Sequence, residues 1–278
     1  KKIVLIGGGH THLETIQRLG ERSFAQDHKL ILISSEVHTP YSGMVPGLIS
    51  GHYKSNECHI DLQKLCGKYD YEFVQQTVLK ISSNEQTIHT ESGTYQYDLA
   101  SINTGSTPNS KTIAGLKDCA IPVKPIRGLV NNIQNLLDRI GRAPKNSTHR
   151  ISVVGGGAAS IEVLLALQYQ ATTRGYTNLQ LCLITAATDI LETHALPVKR
   201  KFHRILHQRG ITTYYNAPVI EVNKDYLKTG SKKIIPSDFV IWATGASPSH
   251  WPKLSGLPTT EDGYIKTDNF LQVKDINN

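Results

Sequence analysis

The chain has 278 residues, 39% hydrophobic and 19% charged, a composition that excludes the disordered and fibrous classes and leaves room for two compact units. Thirty basic against 23 acidic residues give a formal net charge of +7, which favours anionic partners. The densest basic run, Lys199-Arg200-Lys201 with Arg204 and Arg209, lies on a helical pattern without interleaved aromatics; it reads as a solvated helix face, and nucleic-acid binding is set aside.

Lys1-Lys2 followed by Ile3-Val4-Leu5-Ile6 imitates the start of a signal peptide, but the apolar run stops at Gly7-Gly8-Gly9 and reads as a buried strand. Leu13, Ile16 and Leu19 then recur at helical spacing, and Leu30-Ile31-Leu32-Ile33 forms a second buried parallel strand, closing one βαβ unit by Ser34. Residues 71–74, 77–81 and 87–90 read as short strands of an antiparallel meander, and 98–103 as a return to a buried strand. A helix over 129–140 stops at Gly141-Arg142-Ala143-Pro144. Ile151-Ser152-Val153-Val154-Gly155-Gly156-Gly157 repeats the opening of the chain, followed by a run over 161–167 that is apolar nearly all round and a strand over 179–184. Residues 219–222 and 226–229 with the turn at Gly230-Ser231 repeat the meander before a buried strand, Phe239-Val240-Ile241-Trp242. No stretch approaches the roughly 18 apolar residues of a membrane span, so any membrane contact is expected to be peripheral.

The first glycine cluster has Gly7 and Gly9 where G-x-G-x-x-G needs them, one for the tight turn and one for close approach of backbone to a pyrophosphate. His12 replaces the third glycine, which implies either a slightly displaced helix or a side chain turned outward toward a ligand. Ser34 stands where a carboxylate usually meets the adenosine ribose; Glu36, two residues on, is the expected substitute, with a plain loop charge as the alternative. In the second cluster Gly155 and Gly157 are present, Ser160 takes the third place, and Glu162 follows inside the first helical turn, as a nucleotide contact or only a helix-stabilising charge. Thr185 occupies the position where an acid selects NAD, with no arginine nearby in sequence, so NAD against NADP stays open. Thr104-Gly105-Ser106 and Thr244-Gly245-Ala246 end buried strands in corresponding places, where a glycine lets backbone approach a ligand. Together these features predict an α/β fold of two Rossmann-like dinucleotide-binding domains, each with a parallel sheet and a small meander.

In this order of motifs the chain resembles the pyridine nucleotide-disulfide oxidoreductase superfamily, flavoproteins with two dinucleotide-binding domains. The segments Gly7-Gly8-Gly9-His10-Thr11-His12 and His38-Thr39-Pro40-Tyr41-Ser42-Gly43-Met44-Val45-Pro46-Gly47-Leu48 resemble a branch related to type II NADH dehydrogenases, members of which often accompany or are fused to selenophosphate synthetase. The resemblance implies an FAD-binding segment over 1–111, an NAD(P)-binding domain over 112–263, and a return to the FAD domain over 264–278. It implies that Gly7, Gly8 and Gly9, with His10 and His12 beside them, hold the FAD pyrophosphate, and that Ser34, Ser35 and Glu36 hold the adenosine ribose. Tyr41, Ser42, Gly43 and Met44 would approach the flavin, Val78 the adenine, and Thr104-Gly105 would lie along the cofactor. Gly155, Gly157, Glu162 and Thr185 would serve NAD(P)H, closed by Thr244-Gly245.

Two departures qualify that picture. The disulfide-reductase members carry a C-x-x-C or C-x4-C pair, whereas Cys58, Cys66, Cys119 and Cys182 form neither such a pair nor a metal-ligand pattern; free thiols in a reduced, cytoplasmic chain are expected. The third FAD motif, a strand ending in Gly-Asp, is absent, and a chain lacking the C-terminal part of the family fold is expected. The expected activity is hydride passage from a nicotinamide to flavin and electron delivery to a quinone-like acceptor, in the cytoplasm or at the membrane periphery. The alternatives are a sulfide or selenide:quinone reaction using Cys58, Cys66 or Cys119, and a non-catalytic nucleotide-binding partner in selenium metabolism.

Overall fold

In the computed structural model the described residues are 1–22, 24, 27–108, 113–144 and 146–276. They divide into two compact units: Lys1–Tyr41 with His59–Thr107 and the chain from Ser247 onward, and Ser42–Cys58 with Pro108–Ala246. This division differs from the segments expected from sequence. Residues 42–58 group with the second unit rather than the first, and the chain returns to the first unit at Ser247 rather than at 264. The boundary expected between 111 and 112 lies outside the described residues.

The first unit is built on four parallel strands in the order Glu72–Gln75, Lys29–Ser34, Lys2–Ile6, Leu99–Ile102. Successive side chains of a strand point to opposite faces, and here both faces are covered, which is why the buried stretches Ile3–Ile6 and Leu30–Ile33 of the two central strands are continuously apolar. Ile3, Leu5, Leu30 and Leu32 pack with Leu13 and Ile16 of the helix His10–Gly20 and with Leu62 and Cys66 of the helix Leu62–Lys68. Val4, Ile6, Ile31 and Ile33 pack on the other face against Val78, Ile81 and Ile88 of a three-stranded antiparallel meander, Val78–Ser82, Thr87–Thr90 and Thr94–Gln96. The strand at 72–75, read from sequence as part of the meander, is instead the edge of the parallel sheet. It is short and only half-buried, and its two adjacent apolar residues, Phe73 and Val74, do not specify a partner.

The second unit repeats this plan with five parallel strands: Ala120–Pro122, Phe239–Trp242, His149–Val154, Leu179–Ile184, Thr212–Tyr214. One face, with Ile151, Val153, Leu181, Leu183 and Ile241, meets the helices Ile126–Arg142, Ala158–Thr173 and Leu196–Gln208. The other, with Val154, Ile184, Val240 and Trp242, meets the meander Val219–Val222, Tyr226–Thr229, Ile234–Pro236. The Ala158–Thr173 helix is buried on most sides, as a run that is apolar nearly all round requires, with Glu162 exposed. Val45 and Ile49, on the short helix Val45–Ile49, are part of the same core, which explains why residues 42–58 belong to this unit. Among the described residues no helix is long and apolar enough to cross a membrane.

Leu167 lies at the centre of this core with no exposed surface. Leu167→Ala is expected to destabilise the second unit by about 2–5 kcal/mol through lost burial and the cavity left behind. A lowered midpoint in denaturant unfolding of that unit checks it.

Candidate functional site: two glycine turns and a cleft

Each unit turns from its first strand into its first helix in the same way. Gly7 N–H donates to the Ile33 carbonyl at 2.8 Å, and Gly155 N–H to the Ile184 carbonyl at 2.8 Å. On the other side, Asn103 N–H donates to Ile6 and Ala243 N–H to Val154, at 2.7 and 2.8 Å. The turn residue has φ +94° at Gly7 and +138° at Gly155, conformations that side chains rarely adopt. Space forbids a side chain as well: a Cβ on Gly7 would overlap the Asn103 carbonyl, and one on Gly155 would sit 2.7 Å from the Ala243 oxygen. The following helices are preceded by Gly9 and Gly157 as N-caps, both extended and neither providing a side-chain cap, so the positive end of each helix is open to an anion.

In the first unit this turn opens into a cleft of about 340 Å³, within the range of small-molecule sites. Gly7, Gly8, Gly9, Ser34, Ser35, Glu36, Val78, Thr104 and Gly105, singled out from sequence, all line it. The lining includes residues the sequence reading missed, chiefly Asn103, Gln76, Thr77, Ser249 and Trp251. Asn103 had a local signal, since it ends the strand before Thr104-Gly105. Trp251 had none, because the chain returns to this unit only after the whole second sheet. A glycine floor, a helix N-terminus and hydroxyl, amide and carboxylate groups at the rim fit a dinucleotide such as FAD.

His10 and Tyr41 stand apart from that lining, exposed and with ring centroids 4.8 Å from each other. Ser42, Gly43 and Met44 group with the second unit. His12 corrects the expectation of an outward side chain. It is buried at 2% exposure, with Nδ1 2.7 Å from the Gly7 carbonyl and Nε2 2.9 Å from the Ser101 hydroxyl. A carbonyl only accepts, so Nδ1 carries the proton and donates, while Nε2 accepts from Ser101. Both nitrogens are used by protein, and His12 braces the turn rather than touching a ligand. Burial pushes its pKa down, partly offset by the Gly7 hydrogen bond.

In the second unit Ser160 is fully buried against Gly155, filling the third glycine's place. Thr244 and Gly245 follow the strand Phe239–Trp242, Gly245 repeating the positive φ of Gly105, and Glu162 is exposed on the helix Ala158–Thr173. Thr185, expected to face a nucleotide, is 3% exposed, and its hydroxyl accepts from Ala187 N–H at 3.1 Å, so it shapes the turn instead. Sequence reading also missed a polar chain just beyond it. Asp189 accepts from His203 Nε2 at 2.7 Å and from Ile190 N–H at 2.8 Å and lies 3.3 Å from Lys199 Nζ, while His203 Nδ1 is 3.1 Å from the Tyr215 hydroxyl. Burial opposes its ionisation, but the bonds from His203, Ile190 and Lys199 outweigh it and hold its carboxyl below the usual range. All four cysteines are free; Cys58 and Cys66 are buried, and burial pushes the Cys66 thiol up to about 11.

A family model described as pyridine nucleotide-disulphide oxidoreductase matches residues 1–278. A type II NADH:quinone oxidoreductase of Staphylococcus epidermidis is 21% identical over 267 residues, covering 90% of this chain and 66% of that protein. The structure of NDH2 from Plasmodium falciparum in complex with NADH is 21% identical with a TM-score of 0.83, covering 99% of this chain and 62% of the other. The sulfide:quinone oxidoreductase of Aquifex aeolicus is 19% identical with a TM-score of 0.80, covering 95% and 63%. The chain thus spans slightly less than two thirds of these three proteins.

His12→Ala leaves the Gly7 carbonyl without its partner and is expected to cost about 1–3 kcal/mol at pH 8. Because the folded-state pKa of His12 lies below its unfolded value of roughly 6.5, the unfolded chain takes up this proton first as pH falls. The stability from neutral His12 is therefore complete above pH 6.5 and is lost as pH falls toward the lower folded value. Urea unfolding across pH 5–8 should show a shallower acid loss in His12→Ala than in the parent.

Proposed function

Because this chain belongs to the pyridine nucleotide-disulphide oxidoreductase family, we propose that it works as an FAD-dependent NAD(P)H oxidoreductase that delivers electrons to a quinone-like acceptor. The observation that carries this reading is the repetition of the Gly7 turn at Gly155, with matched hydrogen bonds and the same steric demand for glycine. Two such turns in one chain provide for two dinucleotides.

In the first unit the backbone of Gly7, Gly8 and Gly9 would hold the FAD pyrophosphate, Ser34, Ser35 and Glu36 the adenosine ribose, and Val78 the adenine, with Thr104-Gly105 along the cofactor. Tyr41, Ser42, Gly43 and Met44 would approach the flavin. In the second unit Gly155, Gly157, Glu162, Thr244 and Gly245 would hold the nicotinamide nucleotide. When bound, the flavin supplies the two-electron chemistry that links the nicotinamide to the acceptor. The protein contributes binding, alignment of the two rings and exclusion of water, and no side-chain acid or base is needed to move a hydride. Peripheral membrane contact and a functional link to selenophosphate synthetase are part of the same proposal.

A sulfide:quinone-type reaction would need a nucleophilic thiolate. The burial of Cys58 and Cys66 and the raised pKa of their thiols speak against these two, leaving half-buried Cys119 as its candidate.

Purified full-length protein is expected to take up FAD, turn yellow, and be bleached anaerobically by a reduced nicotinamide nucleotide. Gly7→Ala should lose FAD while nucleotide binding survives; Gly155→Ala should keep FAD and lose bleaching. A protein that takes up no FAD on reconstitution overturns the reading, and turnover unchanged in Cys119→Ser removes the thiol alternative.

A further inference from the structure

We infer that the nucleotide site of the second unit does not discriminate against a 2′-phosphate and accepts NADPH as readily as NADH. This rests on the reading that the second unit binds a nicotinamide nucleotide.

The two units can be set in register residue by residue. Gly7 donates to Ile33 and Gly155 to Ile184, so these two strand ends are equivalent, and the next three residues correspond: Ser34 with Thr185, Ser35 with Ala186, Glu36 with Ala187. A second hydrogen bond verifies the count. Glu36 N–H points to the Ser34 hydroxyl at 3.4 Å, and Ala187 N–H donates to the Thr185 hydroxyl at 3.1 Å.

In the first unit this triplet lines the cleft and places a carboxylate there. A carboxylate at this strand end hydrogen-bonds a ribose 2′-hydroxyl and repels a 2′-phosphate. In the second unit the same triplet carries no acid, and the Thr185 hydroxyl is buried and already used by the turn. The first carboxylate after it, Asp189, is neutralised by Lys199 and bonded by His203. Glu192, further on, is engaged by the Thr188 hydroxyl at 3.4 Å, and Arg200 stands beside Lys199 on the helix Leu196–Gln208, so the charges of the segment balance. Among the described residues, the second unit thus lacks the carboxylate that would reject a 2′-phosphate and places no arginine fork at the strand end that would demand one.

The test is equilibrium binding of NADH and of NADPH to the full-length protein, followed by nucleotide fluorescence, with the variants Ala187→Glu and Ala187→Gln. Ala187 uses only its backbone in the turn, and its side chain is half-buried, so both variants are expected to fold. The expected dissociation constants for the two nucleotides lie within about tenfold of each other in the parent. Ala187→Glu, which rebuilds the carboxylate of Glu36, should weaken NADPH by about tenfold or more and spare NADH, whereas Ala187→Gln should spare both. A parent that prefers NADH by about a hundredfold, or Glu and Gln variants that behave alike, overturns the inference while leaving the second unit a nucleotide site. Binding of neither nucleotide overturns the underlying reading as well.

Discussion

The structure depends on one steric constraint, the passage of a strand-to-helix turn directly over the end of a neighbouring strand. At Gly7 the backbone lies so close to the Asn103 carbonyl that even a methyl group has no room, and Gly155 meets Ala243 in the same way. This closeness is what brings the helix N-terminus to the rim of each sheet, where its positive end is favourable for an anion. Everything proposed about cofactors follows from that placement. A phosphate held there, as proposed, would be met by backbone amides rather than by a dedicated lysine or arginine at the turn.

The same constraint explains how two departures from the G-x-G-x-x-G pattern are tolerated. The third glycine exists to let helix and strand pack closely. His12 meets that requirement differently, by entering the gap and hydrogen-bonding the Gly7 carbonyl and Ser101 at once, so that a bulky residue becomes a brace. Ser160 does it by size, lying fully buried against Gly155. The two halves keep one backbone geometry with different side chains, which is why the glycine turn is the dependable feature and the third position is not.

Beyond the turns, the two halves diverge in what they present. The first strand end of one offers Ser34, Ser35 and Glu36 to a cleft; the equivalent triplet of the other is short and uncharged, with its nearest acid tied into the Asp189, Lys199 and His203 cluster. A duplicated scaffold with unlike rims is what two different dinucleotides would require. The scaffold is held by apolar alternation on both faces of each sheet, so the rim residues are free to differ without disturbing the core.

Much of this was legible in the residues themselves. Apolar runs ending in Gly7-Gly8-Gly9 and Gly155-Gly156-Gly157 determine two parallel-sheet units, because a strand buried on both faces is apolar at nearly every position, Ser152 excepted, and the turn after it accepts only glycine. Residues within a few positions of those turns, such as Ser34, Glu36 and Gly105, could be placed by counting along a strand. What tertiary structure decided were the features that depend on distant partners. The direction of His12 depends on Ser101, the use of the Thr185 hydroxyl on the path of the turn, and the attachment of residues 42–58 on a helical core more than eighty residues downstream. The edge strand Glu72–Gln75 belongs to the same class, since two adjacent half-buried residues, Phe73 and Val74, mark a strand without specifying its neighbour. Local periodicity reports whether a residue is buried; only the folded chain determines what it is buried against.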